Sequence, residues 1–103
     1  MKLYTINATS FRPEYNAKIN QARFDNMPYM LSNTFKSVGI DGFTLYEAIG
    51  FWEGKREPSY KIEVLTDLDF EVMAGLCELI RYAYNQDAVI LQCDETVKFI
   101  ERP

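Results

Sequence analysis

The chain has 103 residues, 48% of them apolar and 25% charged, with a net charge of −4 and a pI near 4.8. That length and composition suit one folded domain with a single core, spanning 1–103, and exclude a disordered chain. The acidic balance argues against nucleic acid and anionic membrane as partners, since phosphate contacts need clustered Lys and Arg.

In chain order, Leu3 to Ala8 alternates as a first strand. The segment 9–26 is polar, carries Pro13 and reads as an irregular surface flap, with a short helix over Glu14 to Arg23 as the alternative. A helix is expected from Asp25 or Asn26 as N-cap, with Pro28 in its first turn and Met27, Met30, Leu31, Thr34, Phe35 and Val38 on one face. Gly39 is its expected stop.

Phe43 to Trp52 and Ser59 to Thr66 follow as the arms of a β-hairpin, joined by Glu53-Gly54-Lys55-Arg56-Glu57-Pro58. A second helix is expected from Asp67 as N-cap, with Asp69 and Glu71 in its first turn. Its apolar face is read as Leu68, Val72, Leu76, Leu79, Ile80 and Ala83, and Asn85-Gln86-Asp87 stops it. Ala88 to Cys93 is a last full strand, with Val97 to Ile100 a short addition after an Asp94-Glu95 turn.

The order β-α-β-β-α-β predicts an α+β, ferredoxin-like sandwich, four antiparallel strands with two helices on one face. The other face is left bare, with Tyr4 or Leu3, Tyr46, Trp52 and Leu65 upon it. An uncovered aromatic face predicts a contact between copies of the chain, so a homo-oligomer is expected, with Tyr46, Trp52 and Leu65 at the interface.

There is no histidine, which removes Ser-His, Cys-His and His-metal schemes. Cys77 and Cys93 read as two buried thiols, and without a CxxC or His there is no metal site. The opening MKLYTINATS is too polar for a signal peptide. No apolar run exceeds Ala88 to Leu91, far short of the ~20 residues of a membrane span, so a cytoplasmic protein is expected.

Glu47 and Glu63 are the one candidate carboxylate pair, placed to face each other on neighbouring strands. With no cleft expected around them they read as residues of a subunit seam, so the expectation is a non-catalytic protein with no cofactor. No glycine spacing matches a phosphate-binding loop. The hairpin tip concentrates the remaining chemistry. Trp52 offers a stacking surface, while Lys55 and Arg56 meet an anionic ligand with Glu57 or Glu53 orienting the guanidinium.

Val38-Gly39-Ile40-Asp41-Gly42-Phe43-Thr44-Leu45-Tyr46-Glu47, Gly50-Phe51, Lys61-Ile62-Glu63-Val64 and Val97-Lys98-Phe99-Ile100 together resemble the PII signal-transduction family and its PII-like relatives. The resemblance implies a homotrimer whose inter-subunit clefts hold nucleotides. In it Thr44 contacts a base, and Lys98 or Arg102 a phosphate. Six residues stand where that family has a long partner-binding loop, and Asn85-Gln86-Asp87-Ala88 where it has a glycine-bearing phosphate loop.

Gly50-x-Trp52 followed by Glu57-Pro58-Ser59, with Asn85-Gln86-Asp87-Ala88-Val89, also resembles small proteins of bacteria, plasmids and phages. Two functions are therefore expected: a regulatory protein binding an anionic, nucleotide-like molecule, or a mobile-element accessory protein. The latter blocks a host defence by binding a host protein or by sequestering a nucleotide signal.

Overall fold

The computed structural model describes residues 1–94 and 96–103. It contains β1 (Lys2–Ala8), α1 (Ala17–Lys36), β2 (Thr44–Trp52), β3 (Lys55–Thr66), α2 (Phe70–Ala83), β4 (Ala88–Cys93) and β5 (Thr96–Glu101). The strands form one antiparallel sheet in the order β2-β3-β1-β4-β5. The first four keep the ferredoxin-like order. The fifth is the expected short addition, extended to a full edge strand on β4. The turn expected at Glu95 lies outside the described residues.

Both helices pack on one face of the sheet. Tyr4, Ile6, Ile62, Val64, Val89 and Leu91 point into that layer and are fully buried against Met27, Leu31 and Phe35 of α1 and Met73, Cys77 and Ile80 of α2. Tyr4 is thus a core residue, its hydroxyl donating to Leu68 O at 2.7 Å. Leu3, at 45% exposure, takes the place on the bare face.

α1 begins well before its expected start. Asn16 is the N-cap, its side chain accepting from Ile19 N at 2.9 Å, so residues 17–26 are helix and only 9–16 remain a flap. Pro28 therefore lies inside the helix. A proline there leaves the carbonyl four residues earlier without its donor. That carbonyl belongs to Phe24, and the buried Tyr60 hydroxyl donates to it at 3.1 Å. The sheet supplies the bond that the helix lacks.

α2 is capped by Asp69, accepting from Val72 N at 3.0 Å, whereas Asp67 pairs with the N-terminal amine at 3.3 Å. The helix is also rotated from the expected orientation. Met73, Ala74, Leu76, Cys77 and Ile80 face inward, while Val72 and Leu79 are exposed. Apolar residues all round this helix leave two workable stripes, and the shifted cap chooses between them.

The hairpin connection is shorter than expected. Trp52 pairs with Lys55 across a two-residue turn, Glu53-Gly54, with φ of +50° and +76°. Positive φ at both central residues matches the right-handed twist of the strands. Lys55, Arg56, Glu57 and Pro58 consequently belong to β3.

Candidate functional site

A mismatch in strand length makes the site. β1 ends at Ala8, opposite Tyr60, but β3 reaches back to Lys55. Residues 55–59 of β3 are therefore bordered by β2 on one side and by no strand on the other. The chain leaves the sheet after Ala8 as the 9–16 flap, and β4 begins beyond the gap at Ala88. A cleft of about 520 Å³ occupies the space.

One wall is the distal hairpin, with Phe51, Trp52, Lys55, Arg56 and Glu57. The facing wall is the flap, with Phe11, Arg12 and Glu14. Asn7, Ile90 and Phe99 of the sheet complete it, together with Gln86 and Asp87 before β4.

Pro58 fits this arrangement for a specific reason. Successive strand residues direct their N–H and C=O to opposite neighbours. The Pro58 carbonyl accepts from Thr9 Oγ1 at 2.7 Å, so it points away from β2. Its missing N–H is thereby on the unpaired side, and the β2–β3 ladder loses nothing.

The flap is held from the helix layer. Asn20, nine-tenths buried, accepts from Arg12 N at 2.9 Å and donates to Arg12 O at 2.9 Å and Tyr15 O at 3.2 Å. Arg23 donates to Ser10 O at 2.7 Å and also to Tyr84 O. Arg12 reaches Asn85 O and pairs with Glu14. The C-terminus of α2, where carbonyls lack helical partners and the dipole is negative, thus collects Arg12, Arg23, Arg81 and Arg102.

Four carboxylates line the cleft, Glu14, Glu53, Glu57 and Asp87, against three bases, Arg12, Lys55 and Arg56. Burial pushes the Glu57 carboxyl above its ordinary range. A half-buried carboxylate in a cleft also lined by Phe51, Trp52 and Phe99 can serve as counter-charge to a cationic ligand. Among the described residues no three Cys, Asp or Glu side chains are grouped as metal ligands would be.

Of the residues singled out in the sequence, Trp52, Lys55, Arg56 and Glu57 come together in the cleft. Thr44 does not; it opens β2 at the far end of the hairpin. Lys98 pairs with Leu91, one register position from Phe99, and is outside the lining. Arg102 is engaged elsewhere, donating to Asn85 Oδ1 at 2.8 Å and lying 3.4 Å from Asp87. Tyr46, Trp52 and Leu65 are at least 47% exposed, and the register puts all three on the bare sheet face.

Glu47 and Glu63 are not a pair. The register sets Glu47 opposite the core residue Tyr60 and Glu63 opposite Thr44, on opposite faces of the sheet. Glu63 instead lies near Tyr46, and its negative charge raises the pKa of that phenol.

The sequence reading missed Asn7, Phe11, Arg12, Glu14, Gln86, Asp87 and Phe99 as cleft residues. The usable signal was Pro58, since proline within a strand marks an unpaired edge.

Compared with protein-family models and with curated proteins, the chain matches none. Among solved structures it is similar to a phage SAM lyase in complex with S-methyl-5′-thioadenosine, with a TM-score of 0.65 and 18% identity. That likeness covers 98% of this chain and 89% of the other. The phage SAM lyase in its apo state gives a TM-score of 0.66 and 15% identity over the same shares.

At these identities the likeness establishes the fold. It also corrects the expectation of a non-catalytic protein, because structures that match nearly the whole chain belong to an enzyme. The cleft lies away from Glu47 and Glu63, neither of which lines it.

Proposed function

We propose that this chain is a phage-type accessory enzyme, a lyase that cleaves S-adenosylmethionine and releases S-methyl-5′-thioadenosine. One observation carries the reading: a nucleoside-sized cleft lined by Glu57, Trp52 and Phe99 lies in a fold shared, over 98% of the chain, with a phage SAM lyase that binds that thioether.

The chemistry asks little of acid–base groups. The bond between the sulfonium sulfur and the γ-carbon of the amino-acid arm breaks, and both electrons go to sulfur. Sulfur leaves as a neutral thioether, so no acid has to protonate it. Closure of the substrate's own carboxylate onto that carbon, a C–O bond forming as the C–S bond breaks, completes the cleavage without water. The protein's work is to hold the nucleoside, strip water from the sulfonium and place a counter-charge. Trp52 and Phe99 offer surfaces for the base, and ionised Glu57 offers the counter-charge.

The finer assembly belongs to the same proposal. Leu3, Tyr46 and Leu65 leave an apolar bare face that a second copy of the chain would cover, and the PII resemblance suggests a trimer.

Incubation with S-adenosylmethionine and chromatography of the products tests the reading. Release of S-methyl-5′-thioadenosine by the native protein, and its loss in Glu57→Gln, is expected. Intact S-adenosylmethionine after prolonged incubation with native protein overturns it.

A further inference from the structure

The two walls of the cleft are anchored very differently. The flap is fixed to α1 and the end of α2 through Asn20, Arg23 and Arg12. The hairpin wall, residues 55–59, is cantilevered beyond the end of β1 and braced by its pairing with β2. Among the described residues one hydrogen bond joins the flap to that wall. It runs from Thr9 Oγ1 to Pro58 O at 2.7 Å.

The same hydroxyl accepts from Phe11 N at 3.1 Å, so both of its bonds are set by the turn that starts the flap. Pro58 has no N–H with which to recruit a partner on this edge. The Thr9 hydroxyl therefore stands in for the strand pairing that stops at Ala8.

We propose that Thr9 is a positioning residue that sets the width of the cleft, holding the Glu57 segment of the hairpin at a fixed distance from the flap. The neighbouring residue in the chain makes the link direct. Pro58 follows Glu57, and fixing its carbonyl limits rotation of the backbone that carries the Glu57 side chain. The proposal rests on the lyase reading only for the choice of ligand used to probe it.

Thr9→Val keeps the shape and removes the donor; Thr9→Ser keeps the donor. With S-methyl-5′-thioadenosine in calorimetry, the Val variant is expected to bind about five-fold more weakly, the effect of one lost hydrogen bond, and the Ser variant to bind within two-fold of native. A second readout needs no ligand. Burial raises the Glu57 carboxyl above its ordinary range, so carbon-13 NMR should find it raised in native protein and closer to that range in Thr9→Val as water enters. The other charged groups lining the cleft, Glu14, Arg12, Glu53, Lys55, Arg56 and Asp87, are unchanged in that comparison.

An unaltered Glu57 titration in Thr9→Val, with Thr9→Ser indistinguishable from it, overturns the proposal. Should Thr9→Val fail to melt cooperatively, Thr9→Ala takes its place under the same criteria. If native protein neither cleaves S-adenosylmethionine nor binds the thioether, the lyase reading falls, and the titration still decides the role of Thr9.

Discussion

The Tyr60 hydroxyl donates to the Phe24 carbonyl at 3.1 Å, filling the place in α1 that Pro28 leaves open, while the two rings stack with centroids 4.1 Å apart. A sheet residue thus completes a helix, and does so deep in the core. Tyr60→Phe should keep the stacking and orphan a buried carbonyl, at a cost of about 1–3 kcal/mol in denaturant unfolding. In a Pro28→Ala background the helix supplies its own donor, so the same change should cost distinctly less. Additive losses across that double-mutant cycle would show that the two defects are unconnected.

Glu57→Gln separates function from stability. Its carboxyl is disfavoured in the ionised form by burial, so its folded-state pKa lies above the unfolded one. Such a group leaves stability intact below the unfolded pKa and erodes it as pH rises through the folded value. At neutral pH the Gln protein, which buries no charge there, should therefore melt no lower than native protein. Under the lyase reading proposed above, thioether release should vanish in it. In native protein, release should decline on acidification through the raised Glu57 pKa, as the counter-charge to the sulfonium is lost. A flat profile across that range would remove Glu57 from the mechanism.

The hairpin turn sets the distal wall. Gly54, at φ +76°, should not tolerate a side chain without strain, and Gly54→Ala should destabilise by about 1 kcal/mol. Glu53, at φ +50°, holds the other left-handed position without the residue type that suits it. Glu53→Asn creates the favoured Asn-Gly turn and should raise the melting temperature by a few degrees. A fall in the Asn variant would contradict the turn geometry.

Arg23 ties α1, the flap and the end of α2 together through Ser10 O and Tyr84 O, with its guanidinium 4.9 Å from the Tyr15 ring centre. Arg23→Met retains the length of the stem and removes the donors. It should destabilise by about 2 kcal/mol and speed amide exchange in residues 9–16 before the sheet is affected. Uniform exchange across flap and sheet would mean that the flap is not a separate unit.

The strands were legible because apolar alternation is a local property. Ala88–Cys93 falls on the residues its pattern marked, and Lys2–Ala8 differs by one. The start of α1 was not, because Pro28 reads locally as a first-turn residue. Only the Tyr60 hydroxyl, 36 positions beyond Phe24 in sequence, makes it tolerable in the interior. The site was half legible for the same reason. Trp52, Lys55, Arg56 and Glu57 sit together in the chain, whereas Arg12, Asp87 and Phe99 join them only through the sheet.

That β1 stops short of β3 has a consequence for how such a protein can change. Much of the site lies where β3 runs on without a β1 partner, so most of its lining can be enlarged or reshaped without touching the helix-facing core. Variation in the flap or at the hairpin end can redirect ligand preference while the helix-facing layer stays as it is. The cleft surface can therefore drift while the folding of the chain is left almost untouched.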